Sequence, residues 1–286
     1  MSKKIETDAL IIGAGPCGLF TVFEAGLLKM RCHFIDALPI AGGQCAEIYP
    51  KKPIYDIPGF PEILAEDLIK NLMTQIKPFN PGFTLGERAE FVEKVNDNRF
   101  LVTTNKGTKH EAPVIVIAGG LGCFEPRKPK IENLDYFEGN GVEYIIKDPS
   151  IYHKKRIVIS GGGDSALDWA IYFSKHAEEV TLVHRRSTFR GHLDSVDNLN
   201  KLAQDGKVNL ITESEVFKLN GDKKIQQVLV KSSNDEIIKL DTDYWFPLFG
   251  LTPKLGPLQN WGLNLEKNAI SVNTLDYSTN IDGIYA

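Results

Sequence analysis

The stretch DALIIGAGPCGLF, Asp8 to Phe20, decides the fold. A short apolar run ends in Gly13-Ala14-Gly15-Pro16-Cys17-Gly18, and helix-like sequence continues from Leu19 to Lys29. That order reads as a strand, a tight turn and a helix. Working outward, a second strand over Arg31–Ile35 ends at Asp36. A long loop rich in Gly and Pro then runs through Gly42-Gly43-Gln44 and Tyr49-Pro50 to Pro61. Loops of this length in compact domains tend to carry function. Next come a helix over Ala65–Lys77 and short strands near Glu90–Val95, Phe100–Thr104 and Pro113–Ala118, the first two as a meander.

The opening pattern then recurs. Arg156–Ser160 (RIVIS) is apolar, Gly161-Gly162-Gly163-Asp164-Ser165-Ala166 is the turn, Leu167–Lys175 is helical, and Glu179–Val183 is a strand ending at His184-Arg185-Arg186. Strand-like segments lie beyond it at Val216–Leu219, Ile225–Lys231 and Glu236–Leu240. Between the copies, Gly119-Gly120-Leu121-Gly122 loosens the chain and Pro126 and Pro129 stiffen it, as in a linker. A second linker is read near Trp245–Gly250. The expected architecture is α/β, with two Rossmann-like three-layer nucleotide-binding domains. Residues 1–118 and 245–286 form one, residues 119–244 are inserted as the other, and the linkers permit relative rotation.

A dinucleotide pyrophosphate needs backbone N–H donors at a helix N-terminus, with no side chain in its way. Gly13, Gly15 and Gly18 fit GxGxxG, and Gly161, Gly163 and Ala166 fit GxGxxA. Both copies come after a strand and open a helix, which is the context the motif requires. Asp36 and His184 stand equally far behind Gly18 and Ala166, yet one is an acid and the other begins a basic cluster. A carboxylate at Asp36 accepts hydrogen bonds from ribose hydroxyls and repels a 2′-phosphate, which suits FAD or NAD. Arg185 and Arg186, with Arg190, offer charge-assisted bonds to a 2′-phosphate, and two of these favour NADP over NAD by about 10²–10⁴. The pair of sites implies hydride transfer between a nicotinamide and a flavin. The cofactors carry that chemistry, so no catalytic side chain is assigned. His33, His110, His153, His176 and His192 read as surface or core residues.

Composition narrows the alternatives. The chain has 286 residues, 42% hydrophobic and 24% charged, enough for a sizeable core in about two domains. Its net charge of −4 supplies no basic field for nucleic acid or an anionic membrane. The N-terminal stretch lacks a signal-peptide pattern, and no apolar run approaches a membrane span. Cys17, Cys32, Cys45 and Cys123 lie far apart, with no CxxC and no His at ligand spacing. No disulfide framework and no metal site is expected, and the thiols suit a reducing cytoplasm.

Several segments together resemble the ferredoxin/flavodoxin–NADP reductases of thioredoxin-reductase-like architecture. They are DALIIGAGPCGLF, the IDALP and GGQ segments (Ile35–Pro39, Gly42–Gln44), IYPKKPIYDIPGFP (Ile48–Pro61), FEPRKP (Phe124–Pro129), GGGDSALDWA (Gly161–Ala170), VHRRSTFR (Val183–Arg190) and LGPLQNWGL (Leu255–Leu263). The resemblance implies FAD at Gly13, Gly15, Pro16, Gly18, Asp36, Gly43 and Gln44, with Tyr49 stacked on the isoalloxazine and Ala89 and Phe124 lining the site. It implies NADPH at Gly161, Gly163, Asp164, Ser165, Ala166, His184, Arg185, Arg186 and Arg190, a ferredoxin or flavodoxin partner, and a homodimer. Thioredoxin reductases carry a redox CxxC just ahead of the second glycine turn. Tyr144–Ser150 holds no cysteine there, which argues against an internal thiol relay. Two departures from the family pattern stand out. Gly191 replaces the usual Ala after HRRxxFR, and the sequence ends at Ala286, where the family continues into a Gly-Asp turn, a helix and a segment over the flavin. The alternatives are an NADPH-dependent flavoprotein reductase with a quinone or thiol-protein acceptor, and a non-catalytic NADP(H)-binding protein.

Overall fold

Ala9, Leu10, Ile11 and Ile12 are all buried, as a strand covered on both faces must be. They form the middle of a five-stranded parallel sheet in the order Ile284–Tyr285, Val114–Ile117, Ala9–Ile12, Cys32–Asp36, Gly82–Leu85. The computed structural model describes residues 4–96, 99–122, 125–252 and 254–286. On one face of this sheet Ile11 and Phe34 pack against Leu19 and Val22 of helix Pro16–Leu27 and Ile69 and Ile76 of helix Ala65–Ile76. On the other face Leu10, Ile12 and Ile35 meet Phe100, Val102 and Ala112 of an antiparallel meander, together with Trp261. The meander strands are Ala89–Asn96, Arg99–Thr104 and Lys109–Ala112, with Ile5–Glu6 added at the edge. Helices, parallel sheet and meander make three layers.

A polar chain runs between the parallel sheet and the meander. Thr84 Oγ1 lies 2.8 Å from His33 Nε2 and 2.9 Å from His110 Nε2, so its hydroxyl donates to one ring and accepts from the other. His110 is wholly buried, and burial, reinforced by the neighbouring His33, pushes its pKa down to about 4.

The second unit repeats the plan. Its parallel sheet runs Asn209–Ile211, Glu179–Val183, Arg156–Ser160, Tyr244–Pro247. Its antiparallel sheet is Ser214–Gly221, Ile225–Ser232 and Ile237–Asp241. Val158, Val183 and Trp245 pack on Leu219, Val228 and Val230. Helix Asp164–Phe173 buries Leu167, Trp169, Ala170 and Phe173.

The chain divides into residues 1–124 with 253–286, and residues 125–252. The crossings expected at 118/119 and 244/245 both lie further along the chain. Glu125–Pro126 pairs antiparallel with Leu251–Thr252 inside the second unit. Trp245, expected to start a linker, is instead wholly buried in a strand, with its Nε1 donating to Ser160 Oγ at 2.9 Å. Strands Gly82–Leu85 and Lys109–Ala112 and helix Leu193–Gln204 have no counterpart among the expected elements. The strands are only four residues long, which leaves little pattern to read, whereas the helix carries Leu193, Val196, Leu199 and Leu202 at helical spacing and buries Leu199.

Candidate nucleotide sites

Three glycines do three different jobs in the first turn. Gly13 has φ +105°, and a Cβ there would stand 2.4 Å from the Ala118 carbonyl oxygen. A Cβ on Gly18 would stand 2.1 Å from the Gly13 oxygen, so its absence lets the helix close on the strand. Gly15 is different. Its φ is −76°, open to any residue, and the nearest atom to an added Cβ is Gly43 Cα at 3.9 Å. Neither strain nor crowding within the chain calls for glycine at 15. Its missing side chain keeps clear the mouth of helix Pro16–Leu27, where the first N–H groups have no intrahelical acceptor and an anion is favoured.

The loop after Asp36 folds back over this mouth. Gly42 N–H donates to the Ala14 oxygen at 2.8 Å. Gly43, at φ +56°, opens helix Gly43–Glu47 against Gly15, with 3.1 Å between an added Cβ and Gly15 Cα. Gln44 Nε2 reaches Gly120, 3.6 Å from where a Cβ would sit. The Asp36 carboxylate accepts from Ala14 N–H at 2.6 Å and from Leu38 N–H at 2.8 Å, so the strand end is tied to the glycine turn. Gly13, Gly15, Pro16, Gly18, Asp36, Gly43 and Gln44 therefore come together at the carboxyl ends of the strands, where open α/β sheets take ligands.

Tyr49 sits at the side of this group, half-buried against the helix-side core, with Lys52 Nζ 5.7 Å from its ring centroid. Burial, with Cys45 beside it, raises its pKa to about 12. Ala89 does not present its side chain to this opening. It is buried in the core between parallel sheet and meander, with Ile12, Ile35 and Ile117. Phe124 lies outside the described residues.

The second turn keeps the plan and changes the chemistry. A Cβ on Gly161 would meet the Leu248 oxygen at 2.7 Å, whereas Gly163 has open space in front of helix Asp164–Phe173, as Gly15 has in the first turn. Ala166 is wholly buried under the turn. Ser165 is exposed at the helix start. Asp164 Oδ1 accepts from His192 N–H at 2.8 Å, which ties the helix start to the loop beyond the next strand.

The sequence reads His184 as the start of a basic cluster at the NADPH site, yet only 7% of the residue is accessible. Its ring lies against Phe189 with centroids 4.8 Å apart and planes 22° from parallel. Its Nε2 is 3.0 Å from the Thr188 oxygen, which can only accept, so Nε2 carries the proton. Burial lowers its pKa, and the nearby Arg185, Arg186 and Arg190 lower it further, so the ring is neutral near pH 7. Those three arginines are solvent-accessible, and among the described residues no carboxylate comes within ion-pair distance of any of them. Sequence reasoning missed Ala14, Leu38, Gly162, Thr188 and Phe189. Only the extra glycine in Gly161-Gly162-Gly163 gave a signal.

Two glycine-mouthed sheets, one closed by a bonded carboxylate and the other by free guanidiniums, define a protein built to hold two different nucleotides. Residues 7–286 match the pyridine nucleotide-disulphide oxidoreductases, and the chain belongs to that family. Within it, the chain is 63% identical to ferredoxin–NADP reductase 1 of Christiangramia forsetii over 99% of its own length and 81% of the relative's. It is 46% identical to the ferredoxin–NADP reductase of Bradyrhizobium diazoefficiens over its whole length and 84% of that protein. Among solved structures, the thioredoxin reductase of T. acidophilum superposes with a TM-score of 0.85 at 24% identity, covering 98% of this chain and 88% of that one. At that identity the likeness speaks for the fold.

Proposed function

We propose that the first site holds FAD, that the second holds NADPH, and that the protein passes reducing equivalents from NADPH to ferredoxin, or to a flavodoxin in its place. One observation carries this reading: equivalent strand ends bear a bonded carboxylate in one unit and three guanidiniums without a carboxylate partner among the described residues in the other. The ferredoxin–NADP reductases that the chain matches supply the name of the acceptor.

Bound FAD would supply the two-electron to one-electron conversion that joins a hydride donor to a single-electron acceptor. The residues of the chain bind and orient. Gly15 and Gly163 leave the helix mouths open to a pyrophosphate, and the free lone pairs of Asp36 accept ribose hydroxyls. Arg185, Arg186 and Arg190 take the 2′-phosphate, for which planar guanidinium donors are well matched. Tyr49 is the aromatic residue at hand to stack on the isoalloxazine. No side chain is needed as a proton carrier, and His33, His110 and His184 are engaged in hydrogen bonds within the fold.

The cysteines support release of electrons from the flavin rather than through an internal disulfide. Residues 125–252 contain none. Burial raises the Cys32 thiol to about 11 and pushes Cys45 upward as well, which suppresses thiolate at neutral pH. The homodimer implied by the family resemblance and the cytoplasmic location suggested by the cysteine spacing belong to the same proposal, and sedimentation of the holoprotein tests the dimer.

The experiment is steady-state electron transfer from NADPH through the FAD-loaded protein to ferredoxin, read by cytochrome c reduction. The expected result is turnover that needs ferredoxin and prefers NADPH, with no reduction of thioredoxin disulfide. Thioredoxin reduction at a comparable rate, or no dependence on ferredoxin, would overturn the reading.

A further inference from the structure

The second glycine turn contains one glycine more than the motif uses. Gly161 and Gly163 hold the motif positions, and Gly162 lies between them without the positive φ that demands glycine. A Cβ on Gly162 would stand 2.1 Å from His184 Cε1 and 2.5 Å from each ring nitrogen. The missing side chain is the seat of the imidazole. At the equivalent place in the first turn stands Ala14, whose N–H donates to Asp36. In both turns, then, the residue after the first glycine is matched to the residue at the end of the second strand.

The seated ring organises the loop beyond it. His184 Nε2–H holds the Thr188 carbonyl, its face lies on Phe189, the Gly162 oxygen accepts from Arg190 N–H at 2.7 Å, and Asp164 accepts from His192 N–H. The loop from Arg185 to His192 is fixed by backbone bonds and a ring stack that use no guanidinium. The arginines are thus presented without ordering the loop at the moment of binding, which lowers the entropy cost of association.

We propose that Gly162 and His184 are a coupled pair of positioning residues that sets coenzyme specificity: the gap at Gly162 seats the His184 ring, and the ring aims the arginine loop at the 2′-phosphate. The proposal rests on reading the second site as the NADPH site. It makes His184 a residue that acts through its loop and not by touching the nucleotide.

A double-mutant cycle tests it in the FAD-loaded protein, with KM and kcat measured for NADPH and NADH. Gly162→Ala and His184→Ala should each lower the selectivity for NADPH over NADH by about tenfold, the size of one lost charge-assisted bond, with the loss in KM rather than kcat. The double variant should be no worse than His184→Ala alone, because no ring remains for the new methyl to strike. Additive losses, or unchanged selectivity in Gly162→Ala, overturn the coupling. If Gly162→Ala does not fold, His184→Ala carries the test, since it adds no atom, and unchanged selectivity there overturns the proposal. Arg185→Ala with Arg186→Ala separates the two levels. If that change lowers selectivity while the cycle shows nothing, only the coupling fails. If it too leaves selectivity intact, the NADPH reading falls with it.

Discussion

Asp36 ends one strand and His184 follows the corresponding strand of a sheet built alike, yet one is bonded to its own glycine turn and the other is packed away from solvent. The Asp36 carboxylate takes two backbone N–H groups of its own unit, and on the proposed reading its remaining lone pairs take a ribose. His184 spends its ring on Gly162, Thr188 and Phe189, and on the same proposed reading charge recognition falls to the arginines beyond it. The same position in a fold can thus carry recognition directly or support a loop that does. A bonded carboxylate is fixed by the turn it faces, whereas a guanidinium on a loop needs that loop held by something else.

The contrast can be broken most sharply on the arginine side. Arg185→Ala with Arg186→Ala should lower the NADPH/NADH selectivity by about 10²–10⁴, while the flavin content of the first unit is unchanged. Selectivity ratios from initial rates, with flavin absorbance as control, check both halves of that statement.

Acid should weaken the first unit next. His110 titrates at 6.5 when unfolded and at about 4 when folded, so the unfolded chain binds the extra proton first. The stability this contributes to the first unit is full above pH 6.5 and is lost as the pH falls towards about 4, a difference of about 3 kcal/mol. Flavin release monitored from pH 7 to pH 4 should show this slope, and a His110→Gln variant should show a shallower one.

The smallest effects come from exchanging the third motif residues. Gly18→Ala drives a methyl into the Gly13 carbonyl and should cost the first unit about 2–3 kcal/mol. Ala166→Gly, the reverse change in the second unit, places a glycine in helix Asp164–Phe173 and should cost about 1 kcal/mol. Denaturant midpoints for the two variants should rank in that order.

The glycine turns, their strands and the sign of the charge behind them were legible because each is local, written within about thirty residues of a strand-turn-helix-strand unit. The illegible parts depend on contacts between distant segments. Trp245 looks like the start of a linker because the aromatic run Tyr244-Trp245-Phe246 leads into Pro247 and Gly250. Only its burial beside Val158, and its bond to Ser160, make it a strand. Helix Leu193–Gln204 was legible by the same local rule, since Leu193, Val196, Leu199 and Leu202 recur at helical spacing, although only Leu199 is buried. His184 in the run His184-Arg185-Arg186 reads as one more cation, and nothing in that run reveals the space left by Gly162. Ala89 entered through a family resemblance, and its side chain proves to belong to the core.

The most direct test of the central claim, that the two mouths take different nucleotides, is an anaerobic titration of the FAD-loaded protein with NADPH and then with NADH, monitored by flavin absorbance. The account predicts bleaching at far lower NADPH than NADH. Equal bleaching by the two coenzymes, or none by NADPH, would contradict it.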